Sequence, residues 1–415
     1  MQDLADERIR VVLSKDRMPA IALIKRTGIG AFASLLCLGI TGCGTSTSQT
    51  RSTVEAVSVT SNSPADPTPS TNVTTTVVPA PITISAAFAG DILIHSQVWK
   101  AATTHAGGTG YDFAPMFSRV KPIIEAADLA ICHLETPLVS PGKRPTTNPL
   151  YSAPTEIVAA IKYAGFDRCS NASNHSFDKG TNGIDATLNE FDRLGLGHSG
   201  MARTPAEIAP AVIQISGVRV AHMSYTYGFN GIAAPNGEEW RSATIDPQRI
   251  IADAKAARAK GAQIVIVSMH WGREGQTKLS DFQTLNADLI TKSGLIDLVI
   301  GHHAHVVQEI KQVNRVWTIF GLGNLISYLP TTPAFPSKTQ DGMIVTVDLT
   351  LNPNGTVNVA KPRVIPTWVD KLHGVVVRPV LDDLADPSVP DEVKADLSVS
   401  LERTRSVVGD FITPS

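Results

Sequence analysis

The sequence has few cysteines, few charges and no long hydrophobic run, and each shortage excludes a class of protein. Four cysteines in 415 residues, none of them in a CxxC pair, exclude a disulfide scaffold and the commonest zinc-ribbon and thioredoxin arrangements. With 18% charged residues and a net charge of −2, the chain has no overall positive field for a phosphate backbone, so nucleic acid is not an expected partner. The hydrophobic fraction of 43% is that of an ordinary globular protein.

The apolar stretch over residues 27–40 is too short to span a bilayer but fits the hydrophobic part of a secretory signal. Lys25 and Arg26 precede it, and it leads into Thr41-Gly42-Cys43. Small residues directly before a cysteine resemble the lipobox of bacterial lipoproteins, in which Cys43 would be acylated. A plain secretory signal and an uncleaved anchor are the alternatives, and Met18 is an alternative start. We expect an extracytoplasmic lipoprotein anchored to the bacterial cell membrane.

Composition divides the chain into four parts. Residues 1–43 are the predicted signal peptide with its lipobox, and residues 44–82, rich in Ser, Thr and Pro, are a predicted disordered linker. Residues 83–370 are predicted to form the folded domain. Residues 371–415 are a C-terminal extension with helical patterning around 392–407, which either packs on the domain or contacts a partner.

Short apolar runs alternate with helical patterns along the folded part, which is typical of an α/β protein with a mostly parallel sheet covered by helices. The predicted strands are 84–89, 129–132, 167–170, 264–269 and 298–300, with a hairpin formed by 211–215 and 218–224. The predicted helices are 113–126, 157–163, 184–194, 247–260 and 281–293. The remainder, including 316–320, 343–351 and 357–366, alternates like an antiparallel sheet.

Polar clusters follow five of the predicted strands. In chain order they are residues 90–95, 133–135, 174–178, 270–274 and 301–305. Because the carboxyl ends of parallel strands form the edge of an α/β sheet at which ligands bind, we expect these clusters to converge on one crevice.

Histidine dominates the five clusters. Seven of the eleven histidines lie there, at positions 95, 133, 175, 270, 302, 303 and 305. Imidazole nitrogens mixed with carboxylate and amide oxygens suit Mn²⁺, Zn²⁺ or Fe²⁺, and the ligands suffice for two ions. Alone, Asp91 could be a turn cap and His270 a core histidine, but three histidines within 302–305 are hard to explain by structure.

Six motifs occur in order along the chain: Gly90-Asp91, Leu134-Glu135-Thr136-Pro137, Ser173-Asn174-His175-Ser176-Phe177-Asp178-Lys179-Gly180, His270-Trp271-Gly272-Arg273-Glu274, Gly301-His302-His303-Ala304-His305-Val306-Val307-Gln308 and Gly321-Leu322-Gly323-Asn324. Together they resemble the CapA family of capsule (poly-γ-glutamate) synthesis proteins, over roughly residues 84–367. That family is related to the calcineurin-like metallophosphoesterases. The resemblance therefore implies a four-layer α/β sandwich of the metallo-dependent phosphatase type, with a dinuclear metal centre at the strand ends.

The resemblance also implies roles for individual residues. The metal ligands would be Asp91, Glu135 as the bridging carboxylate, Asn174, His270, His303 and His305. His175 would be the general acid, oriented by Asp178. Further site candidates are His95, His133, His302, Glu274 and Asn324. The chain departs from the family pattern at His95, four residues after Asp91 where two is usual, at His133, where asparagine is common, and at Ala304, where proline is usual.

Two functions are compatible with the resemblance. The first is a metal-dependent, phosphoesterase-like hydrolase of the cell envelope that acts on a phosphoester or on an amide-linked polymer such as poly-γ-glutamate or a peptidoglycan-related substrate. The second is a non-catalytic accessory protein that binds an anionic envelope polymer in a synthesis or export complex. A membrane-bound polymer synthase is a candidate partner, and the membrane would be reached through the lipid anchor.

Cys132 and Cys169 lie near the ends of adjacent predicted strands. We expect two buried thiols there rather than a disulfide, although the bacterial envelope allows either state.

Overall fold

The structure is a computed structural model that describes residues 79–414. Cys43, the predicted signal peptide and the predicted linker up to residue 78 lie outside the described residues. The strands are β1 Ile82–Ile92, β2 Leu129–Leu134, β3 Arg168–Ser170, β4 Gly197–Ser199, β5 Val212–Ile215, β6 Val218–Thr226, β7 Ile264–His270, β8 Leu298–His302, β9 Ile310–Val313, β10 Val316–Ile319, β11 Asn324–Ile326, β12 Asp341–Leu351, β13 Val357–Val359, β14 Arg363–Asp370 and β15 Val376–Pro379. The helices are α1 Ser96–His105, α2 Ala114–Phe117, α3 Lys121–Glu125, α4 Glu156–Tyr163, α5 Gly180–Leu194, α6 Pro247–Ala259, α7 Asp281–Thr291, α8 Val380–Ala385 and α9 Asp391–Val408.

The strands form two mixed sheets. The first has the order β15-β14-β12-β1-β2-β3-β4, with β11 also paired to β1 and β13 to β12. Its strands β1 to β4 run parallel, whereas β12, β14 and β15 are antiparallel to their neighbours. The second sheet has the order β5-β6-β7-β8-β10-β9, with a parallel centre and an antiparallel strand at each edge.

Three apolar cores separate four layers. Between the sheets, Phe88 and Ile131 of the first sheet pack in one cluster with Val220 and Ile266 of the second. The outer face of the first sheet carries α1 to α5, and the outer face of the second carries α6 and α7. Burial on both faces explains why the central strands read as continuous apolar runs rather than alternating ones. The four-layer α/β sandwich implied by the resemblance is thus confirmed.

The second sheet begins at the hairpin of β5 and β6, which the alternation of strands and helices could not indicate, because alternation does not report which sheet a strand joins. One expectation about the fold is wrong. The helix expected over residues 113–126 is two short helices, α2 and α3. Pro122 lies in the first turn of α3, where its missing N–H costs nothing, and it cannot continue a helix from α2.

Residues 371–414 pack on the domain. Strand β15 is the edge strand of the first sheet, and α9 buries Val393 and Leu397 against Trp368 of β14. Arg403 of α9 donates two hydrogen bonds of 2.6 Å to the carboxylate of Asp341 on β12. Over residues 79–414 there is no helix with the length and apolar character needed to cross a membrane.

Cys132 and Cys169 form a disulfide, so the expectation of two free thiols is wrong. The two residues are directly paired in register between the parallel strands β2 and β3, with their Cα atoms 4.4 Å apart. Sequence reasoning placed the cysteines on neighbouring strands but could not give the register, and the register decides whether the sulfurs meet.

Reducing this disulfide should lower the free energy of unfolding by about 4 kcal/mol, because the bond closes a loop of 37 residues in the unfolded chain. Urea unfolding of the oxidised and the reduced protein measures the difference. A Cys132→Ala/Cys169→Ala variant is the control and should not respond to reductant. Equal midpoints for the oxidised and reduced wild type would contradict the stabilising role.

Candidate metal centre and cleft

The carboxyl ends of the parallel strands bring polar side chains into register in both sheets. In the first sheet Asp91 of β1 pairs with His133 of β2. In the second sheet His270 of β7 pairs with His302 of β8. The rule that ligands bind at this edge of a sheet therefore applies twice, and the two edges meet over the inter-sheet core.

Gly90 and Gly301, which belong to two of the six sequence motifs, allow neighbouring backbone segments to approach closely at the carboxyl ends of the strands. A Cβ on Gly301 would lie 1.9 Å from the carbonyl oxygen of Phe320, and a Cβ on Gly90 would lie 2.2 Å from that of Gly323. Any larger residue would push the backbone at Phe320 or Gly323 away, so the glycines fix where Asp91 and the segment after β8 are placed.

The segment after β8 has an unusual backbone. His303 has φ +86° and His305 has φ +55°, both in the left-handed region that non-glycine residues rarely adopt. Asp91 holds this segment, because its carboxylate accepts a 3.0 Å hydrogen bond from the His303 backbone N–H and lies 3.1 Å from Nδ1 of His302. Such strain is typical of a functional site, and here it turns successive imidazoles towards the same point.

Glu135 lies at the centre of the cluster. Its side chain is fully buried, and neither carboxylate oxygen has a hydrogen-bond partner among residues 79–414. Oε1 is 3.6 Å from Nε2 of His305 and 3.9 Å from Nε2 of both His270 and His175. A buried carboxylate without a hydrogen bond is costly in free energy unless a cation stabilises it.

Two groups of ligand atoms share Glu135. One group is Asp91, Glu135 and His305, and the other is Glu135, His270 and His303, with the ligand atoms of each group within 4.8 Å of one another. Asn174 joins the second group, because its Oδ1 is 2.8 Å from Nε2 of His270. The structure therefore brings together all six residues that the resemblance implied as metal ligands.

Burial and neighbouring charges shift the pKa values of three acidic and basic groups in this cluster. Burial raises the pKa of Glu135 well above its usual value. Burial also opposes the charge of Asp91, but hydrogen bonds from His302 and His305 outweigh it and hold the pKa of Asp91 well below its usual value. Burial lowers the pKa of His305, whereas Glu135 and Asp91 raise it, with a net value of about 10. The two carboxylates, Glu135 and Asp91, thus strongly favour a positive charge between them.

Burial holds three other histidines of the centre neutral. Burial lowers the pKa of His133 and of His270 well below the usual value, and lowers that of His303 to about 3. Among the described residues, Nδ1 of His270, Nδ1 of His303 and Nε2 of His133 are buried without a hydrogen-bond partner. Neutral imidazoles with free nitrogens beside an unpartnered carboxylate fit divalent transition-metal ions.

His175 and Asp178 form a pair at the edge of the cluster. Nδ1 of His175 is 2.7 Å from Oδ2 of Asp178, which also accepts a 2.7 Å hydrogen bond from the backbone N–H of Tyr151. This pairing leaves Nε2 of His175 on the side of Glu135. The Tyr151 ring stands edge-on to the imidazole at 4.7 Å between centroids, so the ring is fixed by two residues.

The five further candidates take different positions. His302 forms a hydrogen bond with Asp91. The His133 ring stacks on that of His302 with the centroids 4.2 Å apart, and Nδ1 of His133 is 2.8 Å from Ser170 Oγ. Asn324 Oδ1 is 3.0 Å from Nδ1 of His305 and so positions that ligand. Glu274 is exposed and forms a third ligand group with His303 and His305.

His95 stands apart from the ligand groups found among residues 79–414. Its Nδ1 accepts a 3.1 Å hydrogen bond from the backbone N–H of Tyr328, and burial lowers its pKa to about 4. The side chain instead lines the cleft described below.

Sequence reasoning missed Tyr227 and Asn230. The Tyr227 ring lies 4.6 Å from that of His303, and its hydroxyl donates to Asn230 Oδ1 at 3.1 Å. Asn230 Oδ1 also accepts a 3.3 Å hydrogen bond from Nδ2 of Asn174, which leaves the Asn174 carbonyl oxygen facing His270. Both residues follow the carboxyl end of β6, so the strand-end rule could have found them.

A cleft of about 500 Å³ opens beside the cluster. Its lining combines polar site residues with apolar walls: Leu93, His95, Asn148, Pro149, Leu150, Tyr151, Asn174, His175, Asp178, Asn230, Ile232, Glu274, His305, Leu329, Pro330 and Phe335. A substrate in this cleft could contact the metal ligands and His175 at the same time.

The fold and the site define a class of protein, a four-layer α/β sandwich with a candidate metal centre of histidines and carboxylates at the strand ends. The chain belongs to the bacterial capsule synthesis protein PGA_cap family, whose model matches residues 85–329. It is 28% identical to the capsule biosynthesis protein CapA of Bacillus anthracis, over 68% of this chain and 69% of that protein. It is also 28% identical to the PGA biosynthesis protein CapA of Bacillus subtilis (strain 168), over 66% of this chain and 70% of that protein.

Solved structures resemble it more weakly. A calcineurin-like phosphoesterase from Bacillus subtilis is 14% identical with a TM-score of 0.40, over 78% of this chain and 99% of that chain. An NAD nucleotidase from Haemophilus influenzae is 10% identical with a TM-score of 0.42, over 80% of this chain and 64% of that chain. At these TM-scores, the fold class rests on the two sheets and four layers described above.

Proposed function

We propose that this protein is a metal-dependent hydrolase of the bacterial cell envelope that acts during capsule biosynthesis on a phosphoester or an amide bond of an anionic polymer. Membership of the PGA_cap family supports the link to capsule synthesis. The observation that carries the hydrolase assignment is Glu135, a fully buried carboxylate shared by two groups of ligands and faced by His175.

Two divalent ions would fit these groups. Asp91, Glu135 and His305 would hold one, and Glu135, Asn174, His270 and His303 the other. Ions of this kind polarise a phosphoryl or carbonyl oxygen and lower the pKa of water. Mn²⁺, Zn²⁺ and Fe²⁺ are the ions that such a mixture of imidazole, carboxylate and amide ligands prefers.

The chain's own residues supply the proton transfer. Asp178 keeps the His175 ring oriented so that Nε2 faces Glu135 and the cleft. Water adds to the phosphorus or carbonyl carbon and releases a proton to the solvent, and the bond to the leaving group breaks. The imidazolium of His175, whose Nδ1–H is held by Asp178, donates its Nε2 proton to the leaving atom. The apolar walls at Leu93, Leu329 and Phe335 limit the access of bulk water to that atom.

We propose that the protein works outside the cytoplasm, anchored through an acylated Cys43. The Thr41-Gly42-Cys43 sequence supports acylation. The disulfide between Cys132 and Cys169 supports an oxidising compartment, since such bonds rarely persist in the cytosol.

Metal removal tests the proposed function. The full-length protein, purified without chelators, should contain about two equivalents of Mn, Zn or Fe by elemental mass spectrometry. It should hydrolyse a phosphodiester or a γ-glutamyl oligomer, lose that activity at least about 100-fold in EDTA, and regain it with the same metal.

Two results would contradict the proposal. Absence of bound metal in the folded protein would remove the basis for hydrolysis. Bound metal without hydrolysis of either substrate class would favour the alternative, a non-catalytic accessory protein that binds the polymer for a membrane-bound synthase.

A further inference from the structure

A second hollow adjoins the metal-centre cleft. It has a volume of about 370 Å³, and Leu329 and Pro330 line both it and the cleft. Its other walls come from β14, the turn after it, and α9, including Trp368, Leu372 and Val399. Leu372 is 80% exposed and Val399 55% exposed, so the hollow is open to solvent, and its lining mixes apolar with polar side chains. A linear molecule that crosses the Leu329–Pro330 segment would reach both spaces.

Lys371 supplies an uncompensated positive charge in the hollow. Its Nζ donates a 2.6 Å hydrogen bond to the carbonyl oxygen of Leu329 and lies 5.5 Å from the Tyr328 ring centroid. No ion pair joins Lys371 to a carboxylate within residues 79–414. Burial, without any opposing acidic group, lowers its pKa to about 8, so the ammonium group is still mainly charged at pH 7.

The other charges of the hollow are already engaged. Arg403 uses Nε and Nη2 on the carboxylate of Asp341, at 2.6 Å each. Asp396 lines the hollow and interacts electrostatically with Arg403 on the same helix. Lys371 therefore remains as the cation of the hollow that an incoming anion can reach.

We propose that Lys371 is an anion subsite, which binds a carboxylate of a linear carboxylate polymer while another part of that polymer occupies the metal-centre cleft. The inference rests on the proposed function only in taking an anionic polymer as the ligand. A γ-linked glutamate chain has the required chemistry, because each unit carries one free carboxylate and two methylene groups for the apolar walls. An ammonium with free donor capacity binds a carboxylate through a charge-assisted hydrogen bond.

Binding of a fluorescently labelled γ-linked glutamate oligomer to the full-length protein tests this assignment. Every variant also carries His175→Gln, so that the oligomer is not hydrolysed during the measurement. Lys371→Met should weaken binding of the oligomer about tenfold, whereas Lys371→Arg should weaken it much less. An oligomer with its carboxylates amidated should bind equally well with and without the Lys371→Met change, because the apolar contacts remain.

Lys361→Met is the matched control. Lys361 also donates to a carbonyl oxygen, that of Asp410 at 3.2 Å, and lies 4.8 Å from an aromatic ring, that of Phe411, but lines neither the hollow nor the cleft. It should leave both affinities unchanged. Equal binding of the charged oligomer with and without Lys371→Met, or an equal loss for the amidated oligomer, would overturn the subsite.

Failure of the subsite and failure of the proposed function give different results. If the protein hydrolyses substrate but the oligomer binds without any contribution from Lys371, only the subsite is wrong. If the oligomer binds through Lys371 but is not hydrolysed by the protein without the His175→Gln change, the subsite stands and the hydrolase assignment is wrong.

Discussion

Replacing Glu135 with glutamine is expected to reduce bound metal from about two equivalents to one or fewer, and hydrolysis at least about 1,000-fold. Both ligand groups contain this carboxylate, so one substitution weakens two ions. Glutamine has nearly the same shape but no charge, and it cannot balance the positive charge of two divalent cations. Elemental mass spectrometry and the hydrolysis assay measure the two losses.

In the absence of metal, the Glu135→Gln variant should be at least as stable to unfolding as the wild type. Burial raises the pKa of Glu135 well above its usual value, so the ionised carboxylate costs folding free energy at neutral pH that glutamine does not. In EDTA, Glu135→Gln should melt at the wild-type temperature or above. With added Mn²⁺, only the wild type should be stabilised strongly.

Glu402→Gln provides the control for a lost glutamate charge. Glu402 lies on α9 with its side chain 71% exposed and pairs with Arg405, outside both ligand groups. It should keep wild-type metal content and activity. A Glu135→Gln protein with wild-type metal content would show that the carboxylate is not a shared ligand.

The strand-end rule predicted where the polar side chains meet, although it does not report how many sheets the strands form. Asp91, His133, His270 and His302 come at the ends of strands in sequence, and all four lie together in the structure. The rule works because it depends only on the direction of each strand. The alternation of strands and helices along the sequence indicates that direction, since strands joined by helices run parallel. The rule does not depend on which sheet a strand joins, and the sequence pattern did not assign the strands to the two sheets.

Features that depend on register or on irregular backbone were beyond sequence reasoning. The Cys132–Cys169 bond follows from a one-to-one pairing of β2 and β3 that the sequence does not encode locally. Tyr151 reaches His175 from a loop between β2 and α4, with no periodicity or motif to indicate it. Lys371 acquires its position only because β14 turns back to the edge strand β15 beside Leu329.

Replacing His175 with glutamine is expected to lower kcat by about 100- to 10,000-fold while leaving the metal content unchanged. His175 is not a member of the ligand groups found among residues 79–414, and its Nδ1 is engaged by Asp178 at 2.7 Å. Loss of the imidazole therefore removes the proton donor without removing a ligand. Asp178→Asn should give a smaller loss, since the ring remains but its orientation and charge stabilisation weaken.

The identity of the leaving group separates a general acid from a residue that only shapes the cleft. A nitrophenolate leaves without a proton, whereas an alkoxide needs one before the bond can break. His175→Gln should therefore slow an alkyl phosphoester much more than a nitrophenyl phosphoester. Equal slowing of both substrates would contradict the general-acid role, and loss of metal in this variant would make His175 a ligand instead.

His373→Gln is the matched control for this experiment. His373 forms the same kind of pair, with its Nδ1 2.9 Å from the carboxylate of Asp370 three residues away, but its side chain is 47% exposed and lies on the turn between β14 and β15. Its loss removes an imidazole–carboxylate pair outside the ligand groups. Both phosphoesters should be hydrolysed at the wild-type rate by His373→Gln, so that a selective loss with the alkyl ester in His175→Gln assigns the proton transfer to His175.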